Sequence, residues 1–132
     1  MKHSKVKAPN REELAKLITE IGGESTLVLI LKDFYERLAK DVMVGFFFEK
    51  HDLTQISTMQ GKFILMAAGI AKTFEGKGPS TAHAALPPIL SGHFDRRLII
   101  LRETLRAHQL NESQVDTWVR FEESFRAIVV SD

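Results

Sequence analysis

Three times along this chain a residue able to cap a helix stands three positions ahead of a Glu or Gln, and an apolar stripe of helical period follows. The pairs are Asn10 and Glu13, Asp52 and Gln55, and Asn111 and Gln114. Such pairs fix where a helix begins, because they satisfy N–H groups that the first turn leaves without partners. After the first pair, Leu14, Leu17, Ile18 and Ile21 recur at three and four residues until Gly22-Gly23 stops the helix. A second helix is predicted over residues 25–40, with Leu27, Leu31, Phe34, Tyr35 and Leu38 on one stripe. Its run 27–31 alone would suit a strand, but the helical spacing continues past it. Residues 42–50 read as irregular. The third helix carries Leu53, Ile56, Phe63, Ile64, Ala67 and Ile70 and fades over residues 69–74. Residues 75–80, with Gly76, Gly78 and Pro79, read as a loop. A short helical turn over 80–86 follows, before Pro87-Pro88 forbid its continuation. The fourth helix, 91–108, turns Phe94, Leu98, Leu101 and Leu105 inward. One last helix carries Val115, Trp118, Val119, Phe125, Ile128 and Val129 almost to the end. Long helices, short connections and no credible strand pair predict an all-α domain.

A chain of 132 residues buries roughly two-thirds of its unfolded surface, enough for a core without covalent staples. It has no cysteine, which excludes thiolate catalysis, Cys-based zinc sites and thiolate-held iron clusters. Lys and Arg number 18 against 17 Asp and Glu, so neither nucleic acid nor an anionic membrane is expected as a partner. The longest apolar run, residues 63–71, is far short of the roughly 20 that a membrane span requires. The basic start has no apolar stretch behind it, so residues 1–9 are expected to be a disordered tail rather than a signal peptide. Residues 10–132 then form one domain, and a cytoplasmic location is expected. Nine Phe stand against one Tyr and one Trp, a surplus that composition alone does not explain.

Polar groups interrupt two of the apolar stripes. Tyr35 is in line with Leu31 and Leu38, and Gln60 lies between Ile56 and Phe63. Burying an unpartnered hydroxyl or amide costs about 1–3 kcal/mol, so two such groups facing one interior either satisfy each other as packing or hold a small polar ligand. Among the histidines, His3 is in the tail, His51 and His108 flank helix ends, and His93 opens the fourth helix beside Phe94. His83 stands apart on a short turn between a Gly-rich loop and Pro87-Pro88, where it is either structural or a ligand. No HExxH and no Ser/His/Asp ordering points to a hydrolase.

Taken in order, Gly22-Gly23, Asp33-Phe34-Tyr35, Phe47-Phe48, Gln60 with Phe63, Phe74-Glu75-Gly76, Thr81-Ala82-His83 and His93-Phe94-Asp95 resemble the truncated haemoglobins. These are small globins trimmed to a two-over-two helical sandwich around haem, and the likeness is to the group with a distal Tyr and Gln. The resemblance covers residues 15–130. It implies haem b as cofactor, with His83 as the proximal iron ligand. It also implies Phe48 against the haem face, Ile56 at the distal position where many globins have His, and Tyr35 and Gln60 as the distal pair. Phe63, Ile64, Phe94, Arg97 and Leu101 match positions that line the haem. Gln55 and Met59 stand where basic propionate partners are often found, leaving Lys62, Lys72, Arg96 and Arg97 as the basic candidates. Arg97 occupies a position usually apolar or Trp, from which it reaches the distal pocket, a propionate or solvent. Phe121 and Phe125 are read as ordinary core.

The resemblance therefore implies reversible binding of O2, and of NO and CO, with slow O2 release if the distal pair hydrogen-bonds the ligand. Its enzymatic form is NO detoxification by dioxygenation. That would need a separate, unidentified reductase, since the chain carries no flavin or nicotinamide fingerprint. A haem-based gas sensor and a haem-free helical interaction module are the alternative expectations.

Overall fold

The computed structural model describes residues 7–74 and 86–131, and among these all regular structure is helical. The helices are α1 (Arg11–Ile21), α2 (Glu24–Lys40), a 3-10 turn (Gly45–Phe48), α3 (Leu53–Ala67), α4 (Ser91–Ala107), α5 (Glu112–Glu123) and α6 (Arg126–Val129). The expected loop and short turn over 75–85 lie outside the described residues.

Each start signal caps a helix. The Asn10 and Asn111 side chains accept from the N–H of Glu13 and Gln114, whose own side chains accept from the cap N–H in return. Asp52 accepts from Thr54 and Gln55 N–H. At the start of α4 the device is different: His93 Nδ1 accepts the Leu90 N–H at 3.0 Å, filling the place a Glu or Gln side chain usually takes.

Two helix ends differ from expectation. α3 closes at Ala67 rather than carrying Ile70, because Gly69 takes φ +74° and lets Ile70 N–H reach back to the Leu65 carbonyl. Ile70 is left 51% exposed. The expected single last helix breaks after Glu123, where the Ser124 hydroxyl donates to the Phe121 carbonyl and bends the chain. The short α6 beyond it is tied to α4 by Arg126, which meets Asp95 at 2.7 Å and lies 4.6 Å over the Phe94 ring. Of the expected disordered tail, residues 7–9 are placed: Arg120 donates to the Lys7 carbonyl and Pro9 is buried.

The core is centred on α2. Leu27, Ile30, Leu31, Phe34 and Leu38 are all but inaccessible, and α3 packs on α2 more extensively than any other pair of helices. The close approach is made at Gly61, where an added Cβ would stand 2.9 Å from Val28 Cγ2. Leu98, Leu101 and Leu105 of α4 cover the other side of α2, and Trp118 of α5 closes the interior with Leu14, Leu17 and Ile18 of α1. No described helix is long and apolar enough to cross a membrane.

One ion pair fixes the turn between α2 and the 3-10 segment. Asp41 accepts from Arg96 at 2.7 Å and from the N–H groups of Met43 and Val44. The Arg96 guanidinium, against partial burial and with help from those N–H groups, holds the Asp41 carboxyl below the usual carboxylate range. A carboxyl depressed in the folded state contributes its full stability above the unfolded value, near pH 4, and loses it as pH falls through the lowered folded value. Asp41→Asn is therefore expected to cost about 1–2 kcal/mol at pH 7 and to flatten the acid limb of stability, both read from urea midpoints across pH.

Candidate functional site

Between α2, α3, α4 and the α5–α6 break lies a cavity of about 630 Å³, within the range of roughly 300–1,000 Å³ typical of cofactor sites. Its walls are largely apolar and aromatic: Phe47 and Phe48 from the 3-10 turn, Ile56, Met59 and Phe63 from α3, and Phe94 from α4. Phe48 stands edge-on to the Tyr35 ring with centroids 5.8 Å apart. Phe125 completes the wall, packed against Phe63 and Phe121. It was expected as ordinary core, and the break at Ser124 is what brings it to the cavity.

Polar groups meet the cavity at its rim and deeper in, and Gln60 and His93 line it as well. His51 and Gln55 are exposed and line it, so they form part of its rim. Deeper in, Tyr35, Arg97 and Glu122 form a connected group drawn from three helices. Arg97 Nη2 donates to Tyr35 Oη at 3.3 Å and to Glu122 Oε1 at 3.1 Å, while its guanidinium carbon lies 4.9 Å over the Phe34 ring. Tyr35 is 5% exposed, Glu122 4% and the Arg97 side chain 20%.

Burial pushes the Tyr35 hydroxyl above its ordinary ionisation range, with Arg97 pulling it down and Glu122 pushing it up by less. For Arg97 burial works against the charge, yet Glu122 and the Tyr35 oxygen outweigh it, so the guanidinium is held more firmly protonated than usual. Tyr35 is a neutral hydroxyl at physiological pH, and Arg97 a fixed cation.

Of the residues expected at the site, Tyr35, Phe48, Ile56, Met59, Gln60, Phe63, Phe94 and Arg97 share this cavity. Gln60 is half-buried on its wall, without a hydrogen bond to Tyr35. His83 lies outside the described residues. Two expected lining residues are elsewhere. Ile64 points at a much smaller void shared with Leu14, Leu17 and Trp118, and Leu101 is wholly buried in the core; neither lines the large cavity. Each sits on the side of its helix that faces packed neighbours rather than the cavity.

The basic candidates for a charged edge group also separate. Lys62 and Lys72 are exposed away from the cavity, Arg96 is engaged by Asp41, and Arg97 is inside with Glu122. Of the other histidines, His108 caps α4 and meets Asp33 of α2 at 2.8 Å, and His93 combines its capping bond with edge contacts to Phe46 and Phe47.

Glu122 is the residue that sequence reading missed. The signal existed, because Glu122 falls seven positions after Val115 and four after Trp118, on the buried stripe of α5. A carboxylate there needs a cation, and Arg97, three positions after Phe94, is on the facing stripe of α4.

A flat, mostly apolar macrocycle with polar edge groups requires an apolar slot, a wet rim and a place for an axial ligand. The slot and the rim are both present, so the described residues fit haem. The bacterial-like globin family model matches residues 5–130 of the chain. A group 1 truncated haemoglobin of Chlamydomonas moewusii is 31% identical over 99 residues, which is 74% of this chain; the chain spans 58% of that relative's length. Among solved structures, the truncated haemoglobin of Tetrahymena pyriformis in its Fe(III) form is similar with a TM-score of 0.78, over 88% of this chain and 98% of that one, at 22% identity. The two-over-two haemoglobin of Synechococcus, in the cyanomet state with covalently attached haem, is similar with a TM-score of 0.71, over 85% and 97%, at 24% identity. At such identities the two structures speak for the fold alone.

Replacing one member of the buried pair exposes its role. Glu122→Leu leaves Arg97 without its carboxylate and is expected to cost about 3 kcal/mol, somewhat below a fully enclosed pair because Arg97 keeps partial exposure. Adding Arg97→Leu should recover most of that loss. Urea midpoints of the two single variants and the double variant check this.

Proposed function

The chain belongs to the bacterial-like globins, a family that includes the truncated haemoglobins and binds haem and small gases, and on that premise we propose that it is a haem b protein reversibly binding O2, with NO and CO as further ligands. The observation that carries this reading is the aromatic-walled cavity of about 630 Å³ with a buried Tyr35 hydroxyl at its polar end. His83 is proposed as the residue that holds the iron, on the strength of the family resemblance. When bound, haem supplies an iron that ligates diatomic gases and changes oxidation state.

The protein's own groups decide how such a ligand is held. Phe47, Phe48, Phe63 and Phe94 wall the cavity with apolar rings and lower the local dielectric, which strengthens the polar contacts inside. Ile56 offers no hydrogen bond. Tyr35, neutral at physiological pH, has its oxygen occupied by the Arg97 N–H and keeps its own O–H to donate. The Gln60 amide, on the same wall and free of protein partners among the described residues, is a second donor. Two donors onto one partly anionic ligand favour retention over quick release. That suits scavenging, and NO consumption with O2 as co-substrate and a separate reductase as electron source is its enzymatic form.

Purified chain mixed with hemin is expected to give a Soret band that His83→Ala abolishes or strongly shifts; a band indifferent to His83 transfers the ligand role to another residue, His93 first. In the ferrous protein, Tyr35→Phe is expected to raise the O2 dissociation rate about 10- to 100-fold by stopped flow, the equivalent of one hydrogen bond to a charged acceptor. Gln60→Leu should act in the same direction with smaller effect. Unchanged rates in both would remove the distal pair from the account.

A further inference from the structure

Resting on the haem reading, we propose that Arg97, steadied by Glu122, is a specificity-determining residue that makes this cavity favour small monovalent anions over neutral diatomic ligands. Three observations converge on it. First, Arg97 lines the cavity together with both of its hydrogen-bond partners, Tyr35 and Glu122, and its side chain is only 20% exposed, whereas Lys62, Lys72 and Arg96 do not line it. Second, both hydrogen bonds that hold it come from Nη2, one to Tyr35 and one to Glu122. A guanidinium has five N–H donors, so three, on Nε and Nη1, have no acceptor among the described residues and remain for a ligand. Third, the guanidinium is aimed by a carboxylate on one side and stacked over the Phe34 ring at 4.9 Å, so its donors are held in place before any ligand arrives.

The pair Arg97 and Glu122 is neutral as a whole, so the sign of the local field depends on which member is nearer the cavity's polar end. Arg97 is the member bonded to the Tyr35 hydroxyl, at 3.3 Å, and Glu122 is held through Arg97 at 3.1 Å, so the cation is the charge presented beside that hydroxyl. A negative charge placed beside Tyr35 meets a fixed cation and an O–H donor in a low-dielectric pocket, while a neutral diatomic gains only the weaker dipolar share of both. Glu122 sets the strength of this preference by offsetting part of the charge.

Azide and CO are the probes, titrated spectrophotometrically into the haem-loaded full-length chain in its ferric and ferrous forms respectively. Arg97→Met is expected to lower the ratio of azide to CO affinity by about ten-fold or more, and Arg97→Lys to restore part of it. Glu122→Gln, which keeps the shape and removes the negative charge, is expected to raise the ratio. Opposite movement of the two neutralising variants is the signature of charge, because damage to packing would move both the same way. A ratio unmoved by Arg97→Met, or moved in the same direction by both substitutions, overturns the proposal. Failure of the haem reading shows separately, as no Soret band in the unsubstituted chain, and overturns both.

Discussion

The salt bridge between Arg97 and Glu122 is the interaction on which the shape of this site depends. It joins α4 to α5 and, through the Tyr35 hydroxyl, reaches α2, so one side chain coordinates three helices that surround the cavity. Charged groups this far inside are costly, and an apolar pair of similar size would hold the helices nearly as well. A folded protein that keeps a mostly buried cation on the lining of an aromatic cavity gains something other than stability from it. In this molecule the gain is a polar end built into an otherwise apolar slot, with the donors already oriented.

The apolar slot has its own physical origin. α2 and α3 approach closely at Gly61 and bury most of their facing surfaces, but below that contact the 3-10 turn swings Phe47 and Phe48 across the gap between them. On the opposite side, the bend at Ser124 turns Phe125 towards Phe63. Arg126 then clamps the short α6 onto α4 through Asp95, and the Ser131 N–H donates to the Ile89 carbonyl at 2.8 Å. The cavity is thus bounded by local irregularities, a turn and a break, and its existence does not disturb the regular packing around α2.

Those irregularities explain what could be read from the sequence and what could not. The helix starts at Asn10, Asp52 and Asn111 were legible because capping is local: three residues suffice to specify it. Tyr35 was legible as a polar interruption of a stripe, and the nine Phe as a surplus in want of a wall. The break at Ser124 was not, since Val115 to Val129 keeps a helical period straight through it and only a hydroxyl competing for the Phe121 carbonyl interrupts the ladder. Ile64 and Leu101 were assigned to the cavity by position within a family, but the helix face each occupies is decided by neighbours distant in sequence. Glu122 carried a visible signal, a carboxylate on an apolar stripe, whose meaning depended on a partner 25 residues away.

A crystal structure of the hemin-reconstituted chain tests the central claim most directly. Haem is expected in the cavity walled by Phe48, Phe63 and Phe94, with His83 on the iron and the Tyr35 hydroxyl and Arg97 guanidinium on the opposite face, Arg97 still bonded to Glu122. Haem bound outside that cavity, or Tyr35 and Arg97 on the same face as the ligating histidine, would contradict it.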